Sequence, residues 1–235
     1  MWAPAITALT HVRHARMFHP DGHTFTGTSE PVADPTGPYA AVAAALRGPV
    51  LARCSAALWR GDSFEHLDVL GLAIRFRPDA DAPPDHRAQP GDTDLLTATI
   101  RSPLTMLLSP FTTDATDFAG NKYWAVSPFA VGDLRFELRL VPVDPPEDTD
   151  GSRTERLGRA VAAGQAVWQL EARKTLHLRW EPVAKISLDR PATIDQGALK
   201  FDPFRGALRP VGLVHAIRRA VYSAGQHARE DDPKA

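Results

Sequence analysis

The sequence predicts an α+β protein whose core is a closed or nearly closed antiparallel β-barrel with flanking helices. Six or more segments alternate apolar and polar residues, the period of two that is typical of strands with one buried face. Turn-rich loops separate these segments at short intervals, while helical patterns occur only occasionally and at the C-terminal end. The chain carries neither G-x-G-x-x-G after a strand nor G-x4-G-K-[ST], which argues against a nucleotide-binding βαβ sheet.

The first half of the chain is predicted to hold two helices and four strands. Apolar residues at helical spacing predict a short helix over residues 1–16, and Gly-Pro pairs bound a second helix between residues 36 and 49. Pro20 and Gly22 are turn residues that lead into the first strand. The Pro- and Asp-rich loop 77–91 is predicted to be exposed. Three further strands are predicted over Val50–Trp59, Val69–Phe76 and Thr93–Ile100.

The second half contains the clearest strand of the sequence. Over Leu134–Leu140 every second residue is apolar and the residues between are mostly charged. Ser152 can cap a helix that runs to about Gly164. Residues 102–128 mix helical and loop signals, and no single pattern resolves them. Two more strands are predicted over Val167–Ala172 and Leu176–Leu188. An amphipathic terminal helix, Pro210–Arg229, and a frayed tail, 230–235, follow them.

Length and composition limit the classes of function that the protein can have. With 235 residues, a single domain covering 1–235 is the default. The formal net charge of −1 without a long basic run gives no indication of a nucleic-acid partner. Cys54 is the single cysteine, so a disulfide framework and cysteine-rich metal sites are excluded. Since no signal sequence or eighteen-residue apolar run occurs, we expect a cytoplasmic protein without a membrane span.

The predicted C-terminal helix carries a tyrosine between two arginines. Arg218, Tyr222 and Arg229 follow one another at i, i+4 and i+11, which places all three on one helical face. A phenol surrounded by fixed cations ionises more readily than it does in water. In an ordinary terminal helix the tyrosine would pack in the core and the arginines would be solvated. A phenolate, however, can also bind a metal, as in the tyrosine ligation of haem iron.

This R-x3-Y-x6-R pattern resembles the proximal haem motif of the catalase superfamily. The resemblance implies that Tyr222 is the axial iron ligand, that Arg218 hydrogen-bonds its phenolate, and that Arg229 lies beside the haem propionates. The lead-in, residues 199–204 followed by Arg209-Pro-Val-Gly, resembles that of small bacterial catalase-like proteins. The implied fold is the catalase-like barrel, and the implied cofactor is a b-type haem.

Four further segments resemble the motifs of the same family, in the family's order. R-x-x-H-x-x-G, which carries the distal histidine of catalases, corresponds to Arg16-Met-Phe-His19-Pro-Asp-Gly22. The R-F-S segment corresponds to Arg53-Cys-Ser55, D-x-x-G-x-A-x-(K/R)-F to residues 68–76, and D-L to Asp94-Leu95. Five ordered motifs between residues 16 and 229 are far more specific than any one of them.

The resemblance implies a role for each matched residue on the distal side. His19 would move a proton between the two oxygens of a bound peroxide, which an imidazole titrating near neutrality can do. The Ser55 hydroxyl would orient that ring. Arg16 and Arg53 would join Arg229 in binding the anionic propionates. Taken singly, each of these residues would more often be an ordinary turn, strand or surface residue.

The chain departs from the family pattern on the distal side. Catalases carry an Asn four residues after the Asp of their D-L motif, and that position is Ala98 here. Phe18, next to the distal His19, would make the pocket narrower or more apolar. Because the chain is also short for a catalase, we expect a wider entrance. The sequence therefore predicts a haem enzyme for a bulky organic hydroperoxide, by peroxidase or rearrangement chemistry, with weak hydrogen peroxide dismutation.

Other functions are compatible with the same residues. A biosynthetic haem enzyme, such as a dehydratase, lyase or oxygenase, could use the same pocket. A haem-binding protein with little turnover would also fit the missing Asn. A non-haem metal hydrolase could be built on His11, His14, His19 and His23, although their spacing matches no specific zinc pattern. The expected partners are a small-molecule substrate and, in a homodimer, a second copy of the chain.

Overall fold

The computed structural model describes residues 22–35, 37–58, 66–79, 85–125 and 127–211. These residues form one continuous antiparallel sheet and a few short helices. The strands are β1 Gly22–Pro31, β2 Gly48–Ala56, β3 Leu70–Phe76, β4 Thr93–Ala98, β5 Tyr123–Trp124, β6 Phe129–Val131, β7 Leu134–Pro142, β8 Val167–Lys174, β9 Glu181–Pro191 and β10 Arg209–Pro210. The helices are α1 Pro38–Ala45, a 3-10 helix Pro103–Leu108, α2 Ser109–Thr112 and α3 Arg153–Ala162.

Eight of these strands close into a barrel. Starting from β5, the order around the barrel is β5, β4, β3, β2, β1, β9, β8 and β7. Strand β7 pairs with β8 on one side and with β5 on the other, which completes the ring. The short strands β6 and β10 extend the sheet from β7. The α+β antiparallel barrel with flanking helices, predicted from the alternation, is thereby confirmed.

The barrel interior is the hydrophobic core. Alternate residues of β2 and β3 point inward, including Cys54 and Leu72, and meet large rings from the other side of the barrel. The Tyr123 ring packs edge-on against Trp168, with 6.4 Å between the ring centres. Its buried hydroxyl donates to the Phe118 carbonyl oxygen at 2.7 Å, so the ring adds no unpaired polar group to the core.

One position in the wall of the barrel requires glycine. The register between β1 and β9 shifts at Thr26 and Gly27, a β-bulge. A side chain at Gly27 would collide with the backbone carbonyl oxygen of Ser187 on β9. Glycine therefore permits the close approach of β1 and β9 at this point in the wall.

Several predicted boundaries are confirmed to within a few residues, and α3 is one of them. Ser152 caps this helix through a capping box: its hydroxyl accepts from the Glu155 amide at 3.3 Å, and Glu155 accepts from the Ser152 amide at 2.9 Å. The helix ends at Ala162, and Gly164 follows with a φ of 68°. The predicted helix between residues 36 and 49 is observed over the shorter range of α1.

Other predictions were wrong in part. The strand predicted over Leu176–Leu188 begins only at Glu181, because Leu176 has a φ of 72°, which an extended strand does not allow. Arg77, placed in an exposed loop, is buried and donates to the carbonyl oxygens of Asp85 and Arg87. Pro210, the first residue of the predicted terminal helix, lies in β10. Val211, the next residue, is in no helix, and its amide donates to the Pro128 carbonyl oxygen at 3.1 Å. Residues 1–16, the predicted helix from 212 onward and the tail 230–235 lie outside the described residues.

The thiol of Cys54 is predicted to be chemically inert in the folded protein. Burial raises its pKa to about 12, despite the opposing charge of Arg53. At pH 8 the thiolate fraction is then roughly one in ten thousand, and alkylation by iodoacetamide should be undetectable until the protein unfolds. Since the unfolded thiol ionises near its ordinary pKa, folding stability from this group is present below about pH 8.5 and is lost as pH rises above it.

No helix of the described residues is long and apolar enough to cross a membrane.

Candidate functional site

The outer surface of strands β1–β4 carries a row of small residues. The strand register places Gly22 beside Ser55, Ser55 beside Gly71, and Gly71 beside Ala98. These positions alternate with the core-facing residues, so they lie on the face that points away from the barrel interior. In the neighbouring row Ala73 lies between Arg53 and Leu96. We call Gly22, Ser55, Gly71, Ala73 and Ala98 the small-residue face.

A small apolar cluster extends this face beyond the ends of β2 and β4. Ala57, Val69 and Ala98 pack together, with Ile100 against them. None of these side chains is charged, so the small-residue face is apolar at this end of the barrel. Such a surface suits a planar apolar ligand better than a compact polar one.

One buried cation borders the small-residue face. Arg53, on β2, is only 6% exposed although it points away from the core. Its guanidinium lies directly over Gly22, where any side chain would collide with it. Gly22 thus gives Arg53 the space to lie flat along β1. A buried guanidinium at the edge of an apolar face is suited to binding the anionic group of a ligand.

The opposite edge of the outer face is held by a buried ion pair. Arg75 on β3 and Asp94 on β4 are cross-strand partners, and neither side chain is exposed to solvent. Two bonds join them, from Nε to Oδ1 at 2.8 Å and from Nη2 to Oδ2 at 3.1 Å. The same guanidinium donates to the backbone carbonyl oxygens of His86 and Lys200, at 3.0 and 2.5 Å. The ion pair therefore joins β3 and β4 to the segments that carry His86 and Lys200.

Asp94 also anchors the segment that precedes β10. Its Oδ2 accepts from the Asp202 amide and from Nη1 of Arg205, both at 2.8 Å. Next to these contacts, the Ala207 amide donates to the Thr93 hydroxyl at 3.0 Å. Gly206 has a φ of 88°, and a side chain there would collide with Thr93. Residues 199–208, the lead-in to the C-terminal motif, are thereby fixed against β3 and β4.

A second buried carboxylate, that of Asp68, fixes the backbone beside the small apolar cluster. Oδ1 of Asp68 accepts from the backbone amides of Ala57, Leu58 and Val69, at 3.2, 2.9 and 2.7 Å. Its other oxygen lies 3.7 Å from Nη1 of Arg153, the first residue of α3. Asp68 thus fixes the chain between β2 and β3 and holds α3 beside it.

The structure brings some of the predicted site residues together. Arg53 and Ser55 are both buried on the same outer face, and Ala98 lies in the same row as Ser55, separated from it by Gly71. The five other predicted residues lie outside the described residues, and their roles stay predictions. They are Arg16, His19, Arg218, Tyr222 and Arg229.

The alternative histidine metal site receives no support within the described part of the chain. Of its four histidines only His23 is described, and its Nε2 lies 3.0 Å from the hydroxyl of Thr154. Among the described residues, no three His, Cys, Asp or Glu side chains are grouped closely enough to hold a metal ion. His11, His14 and His19 lie outside this range.

Sequence reasoning missed the residues that position this site. Asp68, Arg75 and Asp94 were identified only as motif matches, without a role. Asp202 was identified only as part of the lead-in 199–204, and Arg205 was not identified, because their partner Asp94 lies more than a hundred residues away in the chain. The D-P-F-R run of residues 202–205 carried one usable signal, since Asp-Pro initiates turns. The Asp202 carboxylate does accept from the Phe204 amide at 2.9 Å.

The chain was compared with known proteins at three levels. No protein-family model and no curated protein sequence matches it. Solved catalase structures do match. A bacterial catalase superposes with a TM-score of 0.63 at 14% sequence identity, and the match covers 96% of this chain and 60% of that one. A fungal catalase and catalase A from Saccharomyces cerevisiae both give a TM-score of 0.61 at 12% identity over 94% of this chain, and the match covers 61% and 63% of those chains. At these identities the likeness shows a catalase-like fold. The chain spans about three fifths of the length of these catalases.

Proposed function

We propose that this chain is a single catalase-like haem-binding domain that reacts with organic hydroperoxides. The observation that carries the proposal is the small-residue face bordered by buried Arg53, on the outer surface of a catalase-like barrel. Three structures titled as catalases share this fold, and five of their family's motifs occur in order along the sequence. When bound, haem supplies a redox-active iron that can accept a peroxide oxygen.

The described residues fit one face of a porphyrin. Gly22, Gly71 and Ala98 carry no bulky side chain, so this row of the sheet would allow a macrocycle to approach the backbone closely. Arg53 lies at the border of this surface, where it can bind a propionate by a charge-assisted hydrogen bond. By resemblance, Arg16 and Arg229 would bind the propionates as well. Tyr222 would ligate the iron, with Arg218 donating to its phenolate.

Two side chains are proposed to act in proton transfer on the distal side: His19 moves the proton, and Ser55 orients the His19 ring. His19 would take the proton of the hydroperoxide group and deliver it to the departing oxygen. Ser55 can accept a hydrogen bond from the other ring nitrogen of His19, which selects the tautomer that this transfer requires. Its place in one row with Gly22, three residues after His19, supports this assignment.

The substrate class follows from what the distal surface lacks. Ala98 offers no hydrogen-bond donor where catalases carry an Asn, so hydrogen peroxide would be held by one polar group fewer. The apolar cluster around Val69 and Ile100 favours a carbon-rich substrate instead. We therefore propose a bulky organic hydroperoxide, with weak hydrogen peroxide dismutation. The same missing donor favours the second candidate, a haem-binding protein with little turnover. A cytoplasmic location and a homodimer complete the proposal.

The visible spectrum of the full chain, expressed with ample iron and haem precursor, tests this function. We expect a Soret band and the charge-transfer bands of high-spin ferric haem with tyrosine ligation. Tyr222→Phe should lose or shift these bands, while the control Tyr39→Phe, in α1, should keep them. Absence of a Soret band after reconstitution, or an unchanged spectrum in Tyr222→Phe, would overturn the proposal.

Turnover separates the enzyme from the haem-binding protein. We expect the wild-type chain to consume cumene hydroperoxide faster than hydrogen peroxide. His19→Ala should reduce this rate strongly, and His177→Ala, a change at an exposed site, should not. A normal Soret band without turnover would favour the haem-binding protein.

Substitution of Arg53, which lies within the described residues, tests the proposed contact between this side chain and a haem propionate. Because a hydrogen bond to a charged group contributes about 1.5–3 kcal/mol, Arg53→Gln should weaken haem binding roughly tenfold to a hundredfold. Haem titration followed at the Soret band measures this, and Arg135→Gln, at an exposed arginine of β7, is the control. Equal affinities in the two variants, with equal thermal stability, would show that Arg53 does not contact the ligand.

A further inference from the structure

One short helical segment is both uncharged and exposed. Every residue of the 3-10 helix Pro103–Leu108 is exposed, and α2 adds Phe111 one turn further on. No residue from 102 to 113 is charged, and we call this range the uncharged segment. Exposed apolar side chains in a cluster mark a surface that binds another molecule or a membrane. Those of this segment are Leu104 at 95%, Met106 at 51%, Leu107 at 84%, Leu108 at 61% and Phe111 at 69% exposure.

The hydroxyl groups of the uncharged segment are hydrogen-bonded within it. The Thr105 hydroxyl donates to the Ser102 carbonyl oxygen at 3.2 Å and lies 3.2 Å from the Ser102 hydroxyl. The Ser109 hydroxyl donates to the Thr105 carbonyl oxygen at 3.0 Å. Those of Thr112 and Thr113 donate to the Ser109 carbonyl oxygen at 3.2 and 2.8 Å. The segment can therefore leave water without stranding an unpaired hydroxyl group.

Exposed cations border the uncharged segment at both ends. Arg101 immediately precedes it, and Lys122 follows Asn121, whose side-chain amide donates to the Asp114 carbonyl oxygen at 2.7 Å. Within the described residues neither cation has an ion-pair partner. The Asp114 carboxylate, just after the segment, accepts from the amide and the hydroxyl of Thr116. The border thus offers two cations to the anionic headgroups of a bilayer.

A second pair of exposed apolar side chains lies at the same end of the barrel. Leu58 follows β2 and Leu67 precedes β3, and they are 44% and 52% exposed. The strand register pairs the end of β2 with the start of β3. The Thr99 amide, just after β4, donates to the Leu70 carbonyl oxygen at 2.9 Å. Since the uncharged segment starts three residues after Thr99, both sets of side chains belong to one end of the barrel.

A lipid bilayer fits these observations better than a protein partner does. A protein groove covers one face of a helix, whereas no residue of this 3-10 helix is buried. The interfacial layer of a bilayer surrounds an inserted segment and accepts its apolar side chains, while phosphates meet cations at the border. We propose that this end of the barrel docks on an anionic membrane, with the uncharged segment inserted and Arg101 and Lys122 at the phosphates.

This inference does not depend on haem binding, and its tests need no haem. If the proposed function also holds, docking places the small-residue face beside the bilayer, because Ala98 lies four residues before the uncharged segment. A carbon-rich hydroperoxide dissolved in the bilayer would then reach this face without crossing water.

Co-sedimentation of the full chain with phosphatidylcholine–phosphatidylglycerol vesicles tests the docking. Leu107→Ser combined with Phe111→Ser should weaken vesicle binding about tenfold or more, because it removes two apolar side chains from the inserted surface. Leu176→Ser combined with Leu178→Ser is the control, and it should leave binding unchanged. These two leucines are 95% and 92% exposed in the turn between β8 and β9, at the other end of the barrel. No binding of the wild-type chain, or an equal loss in both variants, would overturn the proposal.

The contribution of the bordering cations is measured in the same way. Arg101→Gln combined with Lys122→Gln should weaken binding to these vesicles roughly tenfold, and it should have little effect on vesicles of pure phosphatidylcholine. Arg135→Gln combined with Lys185→Gln removes the same charge from exposed positions of β7 and β9. An equal effect of the two variants would show that net charge alone attracts the chain, and the proposed docking surface would be wrong.

An environment-sensitive dye reports which residues enter the bilayer. Attached to Leu107→Cys, it should shift its emission to the blue when vesicles are added and be quenched by spin-labelled lipid. Attached to Leu178→Cys, it should show neither change, and buried Cys54 does not react with the label. An unchanged spectrum at Leu107→Cys would overturn the proposal. A chain that dimerises in solution, and loses this in Leu107→Ser with Phe111→Ser, would overturn it in favour of self-association.

Discussion

Asp94→Ala is expected to lower the free energy of unfolding by about 3–5 kcal/mol, because it removes the hydrogen-bonded partner of buried Arg75 and leaves that charge only the more distant Asp92, at 3.8 Å. Both side chains are fully buried, so in the folded protein the Arg75 guanidinium has no contact with bulk water to replace the lost carboxylate. The Asp202 amide and Arg205 lose their acceptor as well. The segment 199–208 should therefore loosen together with the barrel edge.

Urea unfolding followed by circular dichroism measures this loss, provided that the slope of the transition is unchanged. Glu171→Ala is the matched control, since Glu171 pairs with Arg139 across β7 and β8 at 2.6 Å but remains partly exposed. We expect this control to cost no more than about 1 kcal/mol. If both variants lose the same stability, burial does not strengthen the Arg75–Asp94 pair.

The barrel could be predicted because some of its strands alternate buried and partly exposed residues, and β7 is the clearest of them. In β7 the residues Phe136, Leu138 and Leu140 are buried and the residues between them are not, and the sequence shows this alternation directly. The two-residue strand β5 is too short to show any period, yet it joins β4 to β7. The pairing of β7 with β8, which closes the barrel on the other side, is also invisible in a local pattern. Closure was an inference from the number of strands.

The site could be predicted only where chemistry was local in sequence. Arg53 and Ser55 are two residues apart on a strand, so their common face follows from alternation alone. The contact of Arg53 with Gly22 depends on the register between β1 and β2, which no local pattern specifies. The bonds of Asp94 to residues 202 and 205 join segments far apart in the chain. Such contacts between distant segments are set by the tertiary fold and leave no local pattern in the sequence.

Ala73→Phe is expected to abolish haem binding while leaving the barrel folded. Ala73 points outward from β3, between Arg53 on β2 and Leu96 on β4, and it is only partly buried. A phenyl ring there would project from the small-residue face and hold a planar ligand out of the separation of about 3.5–4 Å at which carbon atoms attract each other. Haem would then lose contact with the sheet and its alignment with Arg53, and we expect its affinity to fall more than about a hundredfold, or about 2.7 kcal/mol.

Haem titration at the Soret band and thermal unfolding of the apoprotein together decide this prediction. Lys185→Phe places the same ring on an exposed, outward-facing position of β9, and it should change neither measurement. Both variants add an aromatic ring to the outside of the same barrel. A difference between them is therefore due to the position of the ring on the small-residue face. Full haem affinity in Ala73→Phe would mean that the ligand does not lie on the outer surface of β2–β4, and the proposed site would then be wrong even if the protein binds haem.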